Sequence, residues 1–288
     1  MGETAMERQV MREVTGTPTI DGAGVLLNRY LGFHTVQLFD PILVLDLFDS
    51  TDSEEYTAGF PLHPHRGIEC ISYVMRGRLL HRDSLGLKTE MGDGDLAWMC
   101  AGSGIMHEER IPSTERHLGI QIWLNLPQQE KMARPEFRCI HTRDMKTLPF
   151  TGGSVRLLAG TYLNARGHRG AHLPLDLYHI SLEPGARLAI PVDSERSVAV
   201  LALEGDAIIC GTSVAERTAV KLSGGHFATV AATQAMPAQL LFISSLPLKE
   251  HVAWGGPIVM NTQSELDQAF AELRRGKFLR DTIDYAEV

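Results

Sequence analysis

Phe60-Pro61-Leu62-His63-Pro64-His65-Arg66-Gly67-Ile68-Glu69 is the stretch on which the reading of this chain turns. Side chains alternate across an extended strand, so His63 and His65 point to one face, with Glu69 in phase if the run is unbroken. Two imidazoles can then converge on one ion. Gly102-Ser103-Gly104-Ile105-Met106-His107-Glu108-Glu109-Arg110 repeats the logic. If it too is extended, His107 and Glu109 share a face and Glu108 points away. A lone His-x-His pair is as readily a hydrogen-bonded surface dyad as a ligand pair. The second pair changes the reading, because three neutral imidazoles and a carboxylate would leave about two positions open on an octahedral divalent ion. Such an open site suits substrate and O₂ at iron or a neighbouring first-row metal.

Outward from these motifs, short apolar runs punctuated by Gly, Pro and Asp recur about every dozen residues, the pattern of an all-β sandwich or barrel. Residues 42–47 (ILVLDL), 68–74 (IECISYV) and 118–124 (LGIQIWL) are representative strands. Turns such as Arg76-Gly77 and Gly92-Asp93-Gly94-Asp95 separate them. A second strand-rich set begins near Val155 and includes 177–182, 198–203, 207–210 and 240–244. The polar segment Pro127-Gln128-Gln129-Glu130-Lys131-Met132-Ala133-Arg134-Pro135 separates the sets, which predicts domains over 1–135 and 136–288. Thr262-Gln263-Ser264-Glu265 reads as a capping box, and Leu266, Ala269, Phe270 and Leu273 follow at helical spacing. One amphipathic helix therefore closes the C-terminal domain in this reading.

The composition excludes several function classes. With 288 residues, 44% hydrophobic and 22% charged, the chain is an ordinary globular one that can bury a sizeable core. Its 27 Lys and Arg against 35 Asp and Glu give a net charge of -8, which offers no general attraction to nucleic acid or anionic lipid. Cys70, Cys100, Cys139 and Cys210 form no C-x-x-C pair, and no apolar run is long enough to span a membrane. Both points predict a cytoplasmic protein in a reducing compartment. Cys70 and Cys100 lie in apolar patterns and read as packing residues rather than nucleophiles.

His63-Pro64-His65, three residues and Glu69 resemble the first motif of the cupin superfamily, and Gly102-x-Gly104-x-x-His107 resembles the second. More closely, the order of four strings resembles the pirin family. These are His63-Pro64-His65-Arg66-Gly67; Gly94-Asp95-Leu96-x-Trp98-Met99-x-Ala101-Gly102-x-Gly104-Ile105-x-His107-x-Glu109; Gln121-x-Trp123-x-Asn125-Leu126-Pro127; and Gly256-Pro257-x-Val259-Met260-Asn261-Thr262. The resemblance spans most of the chain. It implies an all-β bicupin of two tandem double-stranded β-helix (jelly-roll) barrels, with iron in the N-terminal barrel. Carried over, the ligands are His63, His65, His107 and Glu109, with Glu69, the carboxylate that many other cupins use, as the competing fourth ligand. Glu183-Pro184-Gly185-Ala186 resembles the opening of a cupin motif in the C-terminal half, where Pro191 and Asp193 take the two His positions, so that barrel is expected to hold no metal.

The resemblance further implies quercetin 2,3-dioxygenase chemistry, in which a flavonol ring is opened by O₂ and carbon monoxide is released. Glu109 or Glu69 could accept the flavonol hydroxyl proton, Glu109 only if its bond to the metal loosens. Fe(II) is the expected cofactor, with Mn, Co, Ni, Cu or Zn compatible with the same donors. The alternative is a non-enzymatic, iron-dependent redox sensor acting through a protein partner, either in transcription or on a metabolic enzyme. The expected partners are thus a flavonol-like small molecule and O₂, or a regulatory protein, with no direct nucleic acid and no membrane. Near the ligands, Arg66 could orient an acidic group or form a salt bridge. Gln121 is a polar residue in an apolar strand and so needs a partner or a cavity. Trp98, Met99 and Trp123 could line a flat pocket, although core packing suits each of them individually.

Overall fold

A computed structural model describes residues 5–280 and shows an antiparallel all-β chain with one long helix. The strands form two compact units, each built on a seven-stranded sheet and a four-stranded sheet. In the first barrel the larger sheet runs Glu136–Ile140, Leu96–Cys100, Ile68–Arg76, His117–Asn125, Ile42–Ser50, Val25–Leu31, Thr17–Asp21. The smaller runs Phe60–His65, Ile105–Arg110, Leu79–Asp83, Lys88–Met91. The second barrel repeats this plan, its smaller sheet running Arg187–Pro191, Phe227–Ala232, Ala207–Ile209, Thr212–Val214. The tandem jelly-roll architecture is therefore present.

Alternation sets the walls. Along Ile105–Arg110 every second residue is buried, so Ile105, His107 and Glu109 face inward while Glu108 faces out toward Arg82 and Arg110. The central strands Ile42–Ser50 and Ile68–Arg76 are covered on both faces and are buried almost throughout, as their near-continuous apolar runs require.

The two units are not the two halves of the chain. Among the described residues, one contains 5–16, Gln37–Pro41 and Arg143–Pro247; the other contains Thr17–Val36, Ile42–Thr142 and 248–280. This differs from the division into 1–135 and 136–288 at both ends of the chain. Val10–Thr15 pairs with Thr218–Leu222 and completes an edge of the second barrel's larger sheet. The C-terminal helix, Gln263–Arg274, belongs with the first barrel. It begins at the expected capping box, with Thr262 and Glu265 exchanging side-chain hydrogen bonds to backbone N–H groups. Its buried Leu266 and Ala269 join Ala253, Ile258 and Met260 in one apolar cluster. Hydrophobic period locates an element; it does not say which distant sheet edge or apolar face that element will cover.

Candidate metal centre

Three strands of the smaller sheet build the centre. Ile105–Arg110 lies between Phe60–His65 and Leu79–Asp83, with His107 opposite His63 on one side and opposite Asp83 on the other. Ile105 stands opposite His65, and Glu109 opposite His81. Residues directly opposite in an antiparallel pair share a face, so the imidazoles of His63, His65 and His107 meet inside the barrel. Their ring centroids are 4.3 to 5.0 Å apart. One potential ligand atom from each lies within 4.8 Å of the other two.

The hydrogen bonds assign the tautomers. His63 Nδ1 donates to the Pro61 carbonyl at 2.8 Å, and His65 Nδ1 donates to the Pro257 carbonyl at 3.0 Å. A carbonyl only accepts, so each Nδ1 carries a proton, and in the neutral ring the lone pair is then on Nε2. Those two Nε2 atoms face each other at 3.0 Å. Burial, reinforced by the neighbouring His63, pushes His65 down to about 3, so the His65 ring stays neutral near neutral pH. His107 is pushed down in the same way, first by burial and then by His63, His65 and His81, and neither of its ring nitrogens has a hydrogen-bond partner. Opposed lone pairs and an orphaned buried imidazole fit a cation held among the three rings. Two nitrogens bound cis at about 2.1 Å to an octahedral ion stand about 3.0 Å apart, which is the spacing found between His63 and His65.

Glu109 forms a second trio with His107 and His81, again with ligand atoms within 4.8 Å of one another. Its oxygens are held only loosely, by Ser72 Oγ and Gln121 Nε2, each at 3.4 Å. Gln121 thereby finds the cavity that its place in an apolar strand required. His81 and Asp83 carry no motif in the sequence. His81 Nε2 lies 2.9 Å from Asp83 Oδ2, both side chains are buried, and the His81 ring stacks on Phe137. A His-x-Asp pair in a strand was the available signal, and its importance depends on pairing with the His107 strand.

Glu69 is not brought to the cluster. The extended run stops at Gly67, whose φ of 76° turns the chain between the strands Phe60–His65 and Ile68–Arg76 and resets the alternation. Ser72 reaches Glu109 from one face of the latter strand, whereas Glu69 accepts the Trp98 indole N–H at 3.1 Å on the other. This placement sets Glu69, the expected competitor of Glu109 as ligand and proton acceptor, apart from both histidine trios and from the lining of the cavity beside them.

A cavity of about 650 Å³ opens beside the histidines, lined by His63, His65, Glu109, Gln121 and an aromatic set comprising Phe33, Phe60, Trp123 and Trp254. Trp254 stands 5.9 Å from Phe33 and 6.1 Å from Trp123, ring centre to ring centre. Of the three residues considered for a flat pocket, Trp123 lines it, while Trp98 and Met99 are buried away from it. Arg66 points elsewhere. Its guanidinium pairs with Glu272 at 2.8 Å, donates to the Ser103 and Phe278 carbonyls, and lies over the Phe278 ring. The salt-bridge expectation for Arg66 is the one realised. Cys70 and Cys100 are buried free thiols, Cys100 pushed up to about 12 by desolvation and Cys70 raised well above its ordinary range for the same reason, which leaves them protonated packing groups.

Comparison with known proteins follows the same lines. The family model described as Pirin matches residues 24–124, and that described as Pirin C-terminal cupin domain matches 177–279. The chain belongs to the pirin family. A pirin-like protein of Caulobacter vibrioides is 37% identical over 94% of this chain and 99% of its own length. A Pseudomonas aeruginosa relative bearing the name "Putative quercetin 2,3-dioxygenase" is 34% identical, over 93% of this chain and 97% of its own. A crystal structure described as quercetin 2,3-dioxygenase from Acinetobacter baumannii superposes with a TM-score of 0.87 at 27% identity, covering 96% of this chain and all of that one. The pirin domain match contains every residue of the histidine cluster, and the match to the C-terminal domain contains no His-x-His pair. Among the described residues no helix is long and apolar enough to cross a membrane.

Proposed function

We propose that this pirin holds a divalent metal, Fe(II) by preference, on His63, His65, His107 and Glu109 and acts as a quercetin 2,3-dioxygenase-type oxidoreductase on flavonol-like substrates. The observation that carries the reading is the convergence of unprotonated imidazole nitrogens on the wall of an aromatic-lined cavity. At about 650 Å³ that cavity is of the size that encloses a small planar molecule. The names borne by the Pseudomonas and Acinetobacter proteins support the same chemistry.

The ion would supply Lewis acidity toward a flavonol hydroxyl and a template for O₂. Everything else falls to side chains. Phe33, Trp123 and Trp254 flank the space a flat ring would fill, and aromatic faces favour offset or edge-on contact with it. Pro257 and Pro61 fix the tautomers that keep the His65 and His63 lone pairs inward. Of the carboxylates that line the cavity, Asp21 is paired with Arg29, whereas Glu109, with only weak ties to Ser72 and Gln121, could take the hydroxyl proton if its bond to the ion loosened. We place the protein in the cytoplasm, where four unpaired cysteines are expected to persist.

The test is the loss of quercetin's visible absorbance with simultaneous O₂ uptake by protein reconstituted anaerobically with Fe(II), beside a His107→Ala control. Metal-dependent turnover that disappears in the control is the expected result. No turnover by fully metallated protein would overturn the dioxygenase reading in favour of an iron-dependent regulator with a protein partner.

A further inference from the structure

A different set of donors lies at the far edge of the first barrel's larger sheet. Asp95 sits in the turn leading into Leu96–Cys100, and the neighbouring edge strand Glu136–Ile140 runs antiparallel to it, pairing Cys139 with Ala97 and Ile140 with Leu96. The start of one strand thus meets the end of the other. Cys139 and His141 are two positions apart and reach the Asp95 carboxylate together. One atom from each of the three residues lies within 4.8 Å of the other two.

The contacts within this trio are selective. His141 Nδ1 is 3.2 Å from Asp95 Oδ2 and 3.7 Å from Cys139 Sγ. Both neighbours crowd the same ring nitrogen. A nucleophile–base–acid relay uses the two different nitrogens of an imidazole, one toward the nucleophile and one toward the acid. That arrangement is absent here, so the trio does not serve Cys/His catalysis. It does have the dimensions of a chelate: around a tetrahedral ion with a sulfur at about 2.3 Å and nitrogen or oxygen at about 2.0–2.1 Å, the S···N edge is about 3.5 Å and the N···O edge about 3.3 Å. Asp95 is also held in place from behind. Its Oδ1 accepts the Thr142 N–H at 2.7 Å and its Oδ2 the Gly92 N–H at 3.1 Å, the kind of outer support that orients a ligating carboxylate. The His141 side chain is 39% exposed, which leaves an entry path and a fourth position for water.

We propose that Asp95, Cys139 and His141 form a second metal site, separate from the histidine centre, for a Zn²⁺-class ion. One thiolate, one imidazole and one carboxylate make a donor set of intermediate softness, which favours Zn²⁺ or Co²⁺ over Mg²⁺ or Ca²⁺. The histidine centre offers only nitrogen and oxygen donors, so the two sites differ in spectroscopic signature.

Co²⁺ titration of the metal-free, reduced full-length protein tests this. The expected result is a thiolate-to-cobalt charge-transfer band that persists in His107→Ala, disappears in Cys139→Ser and is bleached by added Zn²⁺. In the His107→Ala background, one equivalent of Co²⁺ should bind, and none once Cys139→Ser is added. His141→Asn, at a partly exposed position, retains the thiol and should weaken Co²⁺ binding at least about tenfold. Absence of the band in the parent protein, its survival in Cys139→Ser, or unchanged Co²⁺ affinity in His141→Asn would each overturn the proposal. None of these readouts depends on quercetin turnover, so the two sites succeed or fail independently.

Discussion

The two barrels share one plan and fill it in opposite ways. In the first, the inward positions of Phe60–His65 and its partner strand include His63, His65, His107 and Glu109. In the second, the topologically matching strands Arg187–Pro191 and Phe227–Ala232 set Leu188 opposite Val230 and Ile190 opposite Ala228. All four belong to one apolar core with Tyr178, Leu240 and Phe242. Leu188 and Ile190 are thus the inward side chains of that strand, where the matching strand of the first barrel carries histidines. Pro191 is exposed at the strand end, and the Asp193 carbonyl accepts from the buried Arg8 guanidinium. The lesson is energetic. A barrel interior can be packed with apolar groups, each buried side chain contributing about 1.5–3 kcal/mol, or kept polar and partly open for a ligand. This chain does one in each copy.

The contrast is most easily broken at the ligands. His63→Ala or His107→Ala should strip the metal from the histidine centre, lowering its affinity by more than the roughly 10–100-fold typical of outer-sphere changes, while the fold persists by circular dichroism. Full metal occupancy in both variants would end the ligand assignment. The opposite outcome belongs to the second barrel. Phe242 is buried and stacked on Tyr178, so Phe242→Ala should cost about 3–5 kcal/mol of stability in urea unfolding, with metal content per folded molecule unchanged. Metal loss there would show that the two interiors are not functionally separate.

Smaller changes sharpen the comparison. Asp83→Asn keeps the Oδ1 acceptor used by the Leu85 and Leu87 N–H groups but removes the carboxylate facing His81. Metal affinity should fall about tenfold, measured by chelator competition, with thermal stability little altered. Last, each barrel holds a desolvated histidine outside the clusters just discussed, His117 buried and His179 half-buried. Desolvation lowers both His117 and His179 from 6.5 to about 4. Between these values the unfolded chain binds a proton that the folded one does not, so stability falls as pH drops from 6.5 toward 4. Each histidine should contribute a slope of about 1.4 kcal/mol per pH unit. His117→Gln and His179→Gln should each flatten the measured dependence by that amount, and an unchanged slope would refute the desolvated, neutral assignment.

Much of this was legible in the sequence because it is local. The alternation that groups His63 with His65 and His107 with Glu109 needs only a strand, and the Thr262–Glu265 cap needs only a helix start. What escaped depends on contacts between distant segments or on a single backbone angle. Glu69 was placed in phase with His65 because nothing in the spacing reveals that Gly67 breaks the strand. His81 gains its place only through the register that sets it opposite Glu109. Phe33 and Trp254 come from parts of the chain more than two hundred residues apart and meet at the cavity. The exchange of terminal segments between the units was hidden for the same reason, since apolar period does not name a partner.

The clasp on His65 bears on how the protein is made. Its Nδ1 bonds the Pro257 carbonyl 192 positions away, and the Arg66 carbonyl accepts from the Val259 N–H. On the ribosome the first barrel's strands emerge long before that clasp exists. A nascent chain can form the sheet that carries His63 and His107, yet it cannot lock the His65 tautomer until Pro257 has been translated. Completion of the candidate centre is thereby tied to synthesis of the segment that carries Pro257, and a chain stalled within the second barrel is left with the His65 ring unclasped.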